Sequence, residues 1–234
     1  MNASTAPTVG TNANYDYGNR DPNEIQTDEI INAAFVIDVS LSIDQYVDEL
    51  NKAYNDFKNE MGGSHVGSKL FVSMTQFNDR IVSRGGFQPI TSLPDIDFRQ
   101  HLGGNTALYD ATLDSLTNAM NYRTSLEASG INVKTLIFVI TDGQDNSSSS
   151  DSAGKVKSII DGISKEELSF GSFTSILFGI GSDRPSFEKA HAKMGFEHLG
   201  VITNSAKDIR AMISFISSSI SNSSAGIKTS SPNF

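Results

Sequence analysis

The sequence contains no cysteine and no run of lysine or arginine among its 234 residues. Without cysteine, neither a disulfide framework nor a thiolate metal site can form. No apolar stretch approaches the roughly 20 residues that a membrane-spanning helix needs. Residues 1–20 also lack the basic and apolar regions of a secretory signal peptide. These absences predict a cytoplasmic protein that has no membrane segment and depends on its hydrophobic core for stability.

Acidic residues outnumber basic ones, 27 against 18, which gives a formal net charge of −9. Nucleic acids and anionic membrane surfaces are bound mainly through clusters of lysine and arginine. We therefore expect no nucleic-acid partner and no membrane partner. An acidic balance suits cations or basic proteins, but solubility alone explains it equally simply.

Apolar runs of strand length alternate with segments of helical spacing along most of the chain. The runs at about 33–39 and 133–141 are continuous rather than alternating, which is typical of strands that are buried on both faces of a sheet. An Asn78-Asp79 turn predicts a hairpin and hence one antiparallel strand. Strands are predicted at 33–39, 69–77, 80–83, 133–141, 173–180 and 197–202, and helices at 43–60, 106–120, 152–166, 186–193 and 206–220.

This alternation predicts an α/β fold with a doubly wound, mostly parallel six-stranded sheet, one antiparallel edge strand and helices on both faces. Residues 29–220 would form this domain. Residues 1–28 are rich in small and polar residues and predict a flexible N-terminal arm. Residues 221–234 predict a Ser-rich C-terminal tail, and residues 85–103 an irregular connection.

Oxygen-bearing side chains occur at three places: at the ends of two of the most apolar strands and at the start of a predicted helix. Asp38 lies at the end of the first strand and is followed by Ser40 and Ser42, Thr106 follows a Gly-Gly turn, and Asp142 follows the fourth strand. The carboxyl ends of parallel strands meet in one crevice, where α/β proteins bind ligands. Carboxylate and hydroxyl oxygens suit a hard cation, whereas Zn²⁺ prefers nitrogen and sulfur. The sequence therefore predicts a Mg²⁺ site, with Mn²⁺ or Ca²⁺ as alternative ions.

Each of these residues also has a structural explanation when it is taken alone. Asp38 fits the N-cap of a helix, and Asp142-Gly143 fits a plain turn. Asp145 is either an additional neighbour of the metal site or a solvated loop carboxylate. The agreement of three separate segments favours the metal site over these separate explanations.

The same three segments resemble the von Willebrand factor A domain family, in the form that carries a metal-ion-dependent adhesion site. Order, spacing and strand context agree over about residues 30–220. Leu41 differs from the glycine, and Ile43 from the methionine, that many members have. The matching segments are Asp38-Val39-Ser40-Leu41-Ser42, Gly104-Asn105-Thr106-Ala107-Leu108 and Thr141-Asp142-Gly143, with a further likeness at Phe178-Gly179-Ile180-Gly181.

The resemblance implies a role for each predicted ligand. Ser40, Ser42 and Thr106 would give hydroxyl oxygens to the metal, while Asp38 and Asp142 would bind it directly or through water. An acidic residue, Asp or Glu, of a protein partner would complete the coordination. The resemblance also suggests an intracellular adaptor that acts beside an AAA+ ATPase or a stress-response system.

Two other functions are compatible with the sequence. A metal-dependent hydrolase or phosphoryl-transfer enzyme would use the same ion, but the P-loop, G-x-S-x-G and H-E-x-x-H motifs are absent. A structural subunit of a larger assembly would not need the metal site at all. We expect a metal-dependent protein-interaction module rather than an enzyme.

Overall fold

The computed structural model describes residues 17–166 and 172–234, in which six strands form a single sheet of order β3-β2-β1-β4-β5-β6. Neighbouring strands pair in parallel, except that β2 and β3 are antiparallel. The predicted α/β sheet, mostly parallel with one antiparallel edge strand, is therefore confirmed. The strands are β1 (Glu29–Asp38), β2 (Leu70–Phe77), β3 (Ile81–Pro89), β4 (Asn132–Thr141), β5 (Phe173–Ile180) and β6 (His198–Ile202). The helices are α1 (Val47–Gly62), α2 (Leu108–Ala128), α3 (Ser152–Glu166), α4 (Arg184–Met194) and α5 (Ala206–Ser224).

The two continuous apolar runs form the central strands, β1 and β4. Every residue of β1 after Glu29 is buried, and so are the last seven residues of β4. Helices α1 and α5 cover one face of the sheet, where the rings of Phe35 and Tyr54 lie 5.4 Å apart, and α2, α3 and α4 cover the other. Burial on both faces explains why these strands lack an alternating pattern. No helix among the described residues is long and apolar enough to span a membrane.

Strand β3 is longer than predicted, because it continues through Gly85 and Gly86 to Pro89. The pairing of β2 and β3 shifts register between Val72 and Met74, opposite these glycines. A Cβ atom on Gly86 would lie 2.4 Å from backbone atoms of residues 17–19. The glycines that suggested an irregular connection therefore stand in a strand, where they let another segment approach its backbone.

That segment, residues 17–21, lies along the outer side of β3. The Arg20 amide donates to the Phe87 carbonyl (2.8 Å), and the Phe87 amide donates to Asn19 Oδ1 (2.7 Å). The Tyr17 hydroxyl donates to Asp114 of α2 at 3.0 Å. The second half of the predicted arm is thus packed on the domain through polar contacts, which its composition does not reveal. The first half lies outside the described residues.

The predicted Ser-rich tail also differs from expectation. Helix α5 continues to Ser224, and serine hydroxyls in it, such as those of Ser217 and Ser218, donate to carbonyls four residues earlier. Beyond the helix, Lys228 pairs with Glu197 at 3.1 Å and the Phe234 ring lies 6.3 Å from that of Phe178. A helix accommodates serine when the serine hydroxyl donates to a backbone carbonyl of the preceding turn.

Candidate metal centre

Asp38 is held at the junction of β1 and β4. It is fully buried, and its two carboxylate oxygens accept hydrogen bonds from the Thr141 hydroxyl (2.6 Å) and the Ser40 amide (2.8 Å). The bond to Thr141 exists because Ile37 and Ile140 are paired in the sheet, which places the ends of the two strands side by side. Asp38 therefore fixes the turn that carries the two predicted serine ligands.

The predicted oxygen ligands on the first and third segments form one continuous row. The hydroxyl oxygens of Ser40 and Ser42 are 3.2 Å apart, and the Ser42 hydroxyl donates to Asp142 Oδ1 at 2.8 Å. Ser40 is buried and Ser42 is exposed, so the row leads from the interior to the surface. Residues that are 100 positions apart in the sequence are thereby brought together as predicted.

Thr106, on the second predicted segment, lies against the turn at Gly143, directly after Asp142. A methyl group added to Gly143 would be 3.5 Å from the Thr106 hydroxyl oxygen. The Thr106 side chain is buried, yet its hydroxyl makes no hydrogen bond with any residue that the structure describes. The oxygen is not fully enclosed by the described residues, so it is free to bind a ligand beside Asp142.

A residue that the sequence analysis missed, Asn146, holds Thr106 in place. Asn146 Oδ1 accepts from the Thr106 amide (2.8 Å), and the Asn146 amide donates to the Thr106 carbonyl (3.0 Å). Nearby, the Ser148 hydroxyl accepts from the amides of Tyr109 and Asp110 at the start of α2. The serine-rich loop gives no local signal for these roles, because its partners lie about 40 residues earlier.

Asp145, the optional neighbour of the metal, is directed elsewhere. Its carboxylate accepts a hydrogen bond from the Ser148 hydroxyl and a long one, 3.5 Å, from the Tyr109 amide. It makes no hydrogen bond with the other predicted ligands among the described residues. Asp145 therefore faces the start of α2, where a negative charge is favourable, and we leave it out of the ligand set.

Of the two carboxylates of the site, Asp38 is fully buried and Asp142 is partly buried. Burial raises the pKa of Asp38 to about 6, and the nearby charge of Asp142 adds to the rise, against the hydrogen bonds from Thr141 and Ser40. Burial likewise raises the pKa of Asp142, although the Ser42 hydroxyl opposes the shift. Beside them, burial and the Asp142 carboxylate raise the pKa of the Tyr46 phenol. A bound cation would relieve the cost of keeping these groups ionised.

The donor set suits a hard, partly hydrated cation. The described residues contain no group of three His, Cys, Asp or Glu side chains that could hold a metal. The centre instead combines two carboxylates with three hydroxyls, and Mg²⁺ is commonly bound by one or two carboxylates together with water. Neutral hydroxyls leave much of the charge of such an ion uncompensated. The residues present therefore fit Mg²⁺ better than Zn²⁺.

Solved structures with this arrangement of strands and helices include domains of one named type. The von Willebrand factor type A protein of Catenulispora acidiphila is 16% identical, with a TM-score of 0.53, over 82% of this chain and 43% of that one. The vWF domain of the type V pilus tip protein Mfa5 of Porphyromonas gingivalis is 10% identical, with a TM-score of 0.52, over 89% and 99%. This chain has the von Willebrand factor A fold.

The same fold relates the chain to a part of the pilus adhesin SpaC of Lactobacillus rhamnosus GG. The TM-score is 0.61 at 12% identity, over 83% of this chain but only 30% of SpaC. No family model and no curated protein matches the sequence. At these identities the likeness shows the von Willebrand factor A fold alone, which confirms the fold that three short motifs predicted.

Proposed function

We propose that this chain is a divalent-metal-dependent protein-interaction module. Asp38, Ser40, Ser42, Thr106 and Asp142 would hold Mg²⁺, and an acidic residue of a partner would complete its coordination. The observation that carries the proposal is the row of oxygens from Ser40 through Ser42 to Asp142, beside the free hydroxyl of Thr106.

The carboxylate of Asp38 and the three hydroxyls would have different roles at the metal. Both carboxylate oxygens of Asp38 already accept hydrogen bonds, so Asp38 would mainly orient the serine turn and bind through water. Ser40, Ser42 and Thr106 would offer neutral oxygens. Bound Mg²⁺ would supply a positive charge that these hydroxyls leave largely uncompensated, and that charge would attract the carboxylate of a partner.

A binding role is supported by the kinds of protein that share the fold. Two of the similar structures are named as a pilus adhesin and a pilus tip protein. We extend to this chain the general role in protein interaction and no catalytic role. The metal-loaded protein should accordingly show no turnover of phosphate or carboxylate esters.

Calorimetric titration of the EDTA-stripped protein with Mg²⁺ tests the proposal. Wild type should bind one ion, and Thr106→Val, which removes the free hydroxyl at almost constant shape, should bind at least about 10-fold more weakly. Thr117→Val is the matched control, since Thr117 lies on α2 and its hydroxyl donates, among the described residues, to the Leu113 carbonyl alone. Equal affinity in Thr106→Val and wild type would remove Thr106 from the site. Absence of binding in wild type would instead favour a structural subunit.

A further inference from the structure

An open groove adjoins the proposed metal site, between the β2–β3 turn and the short 3-10 helix at Phe98–His101. Its volume is about 500 Å³, and its walls include Asn78, Arg80 and the apolar residues Val82 and Leu102, whereas the side chain of the neighbouring Ile81 packs on the opposite face of the sheet. Val82 and Leu102 are partly buried, because each packs on the hydrophobic core with one side and faces the groove with the other. The groove therefore leaves apolar surface in contact with water close to the metal ligands.

The backbone connects the groove to the metal site on both sides. Phe77 is paired with Asp38 in the sheet, and Asn78 is the next residue. Neighbouring strands lie about 4.8 Å apart and consecutive Cα atoms about 3.8 Å apart, so Asn78 is within about 9 Å of Asp38. On the other wall, the Gly103 amide donates to the Val39 carbonyl at 3.0 Å. An extended peptide advances about 3.3–3.6 Å per residue, so two or three residues cover the distance from Asp38 to Asn78 at the near wall of the groove.

The chemistry around the groove indicates what it would accept. Arg80 is exposed and forms no ion pair with a residue in the described part of the chain, and it lines the groove whereas the neighbouring Asp79 does not, so its guanidinium is available to a partner. Leu41, which lies between the two serine ligands, is 69% exposed. A partner segment that combines acidic and apolar side chains would match both the charge and the apolar surface.

We propose that this groove binds an apolar side chain of the same partner segment whose acidic residue completes the metal site. The apolar residue stands two or three positions from the acidic one. This inference rests on the proposed function and adds a second specificity element to it. The partner is thus a short extended segment that carries an acidic residue and a nearby large apolar residue.

Selection from a displayed heptapeptide library with a fixed central aspartate tests the inference. Peptides are captured on the immobilised protein in Mg²⁺ and released with EDTA. We expect enrichment of Leu, Ile, Val, Phe or Met at two or three positions from the aspartate. Replacing that residue by alanine in a synthesised peptide should weaken its binding to wild type about 10-fold.

Two groove variants, Val82→Thr and Leu102→Gln, should each abolish the apolar preference while keeping the Mg²⁺-dependent capture of aspartate peptides. Ile227→Gln is the control, because Ile227 is 56% exposed and lies outside the groove. EDTA-released peptides without an apolar preference, or a preference that both groove variants retain, would overturn the groove and leave the proposed function standing. If calorimetry shows Mg²⁺ binding but EDTA releases no peptide, both the binding role of the groove and the proposed acidic partner residue are wrong.

Discussion

Asp38 is a carboxylic acid that the fold removes from water, although the ordinary position of such a group is at the surface. Hydrogen bonds from Thr141 and Ser40 offset part of the cost of its charge, but burial dominates and raises its pKa to about 6. In the protein without metal, ionised Asp38 should therefore lower the free energy of unfolding near neutral pH. Metal binding at the proposed site should favour loss of its proton.

The sign of the pH dependence follows from this shift. Because the pKa of Asp38 is higher in the folded protein than the usual 3.8, its stabilising contribution is complete below about pH 4 and is lost as the pH rises through about 6. The rise of the pKa from 3.8 to about 6 corresponds to about 3 kcal/mol. In EDTA, the free energy of unfolding of wild type relative to Asp38→Asn should fall by up to this amount between pH 4 and pH 7.

Urea unfolding of both proteins at several pH values measures the effect. The comparison with Asp38→Asn is needed because burial lowers the pKa of His191 and of His198, and these groups act in the opposite direction. Saturating Mg²⁺ should reduce or reverse the fall, because an ion at the proposed site would favour the ionised carboxylate. Parallel pH profiles for wild type and Asp38→Asn would show that Asp38 is not the responsible group.

At the scale of the element, the loop between β4 and α3 organises the start of α2. Asn146 bonds to Thr106 through both its side chain and its backbone, and Ser148 caps the first amides of the helix. One predicted metal ligand is thus positioned by a loop that supplies no ligand of its own beyond Asp142. Groups that orient metal ligands commonly affect metal affinity almost as strongly as the ligands themselves.

We therefore predict that Asn146→Ala lowers the Mg²⁺ affinity about 10-fold, while the free energy of unfolding falls by only about 1 kcal/mol. Calorimetry and urea unfolding measure the two quantities. Asn146→Asp keeps an oxygen acceptor for the Thr106 amide and should retain binding. Asn121→Ala, at an exposed position on α2, is the control for a lost asparagine. An unchanged affinity in Asn146→Ala would show that Thr106 is positioned without it.

At the scale of the whole molecule, the two ends of the described chain pack onto the domain at opposite edges of the sheet, one at β3 and the other at β5 and β6. Residues 17–21 bond to β3, and residues 225–234 lie against α5 and the last two strands. His198 Nδ1 lies 3.2 Å from the Ser231 hydroxyl, and the rings of Phe215 and Phe234 are 6.0 Å apart. Both segments thus contact the domain that was predicted at residues 29–220.

The packing of the final segment predicts a stability effect at Phe234. This side chain is 46% exposed, so about half of its apolar surface is buried against Phe178 and Phe215. Phe234→Ala should lower the free energy of unfolding by about 1 kcal/mol, measured by urea unfolding. Ile227→Ala removes a smaller and more exposed apolar side chain, 56% exposed, and should cost less. Equal effects of the two substitutions would mean that Phe234 contributes no specific packing.

The sequence by itself determined the central strands, the alternation of strands and helices, and the three segments that carry Asp38, Thr106 and Asp142. These features are local, because the apolar pattern of a strand and the polar residues that follow it are read from neighbouring positions. The cytoplasmic location and a partner such as an AAA+ ATPase or stress-response system stay predictions, since no residue in the chain selects them.

Only the tertiary structure decided which of these groups touch. Asn146 meets Thr106 across 40 positions, and Ser42 meets Asp142 across 100. Gly86 admits the backbone of residues 17–19, whereas Asp145 faces the start of α2 rather than the predicted metal ligands. Contacts of this kind depend on how whole elements pack against one another, and no local pattern of side chains encodes that geometry.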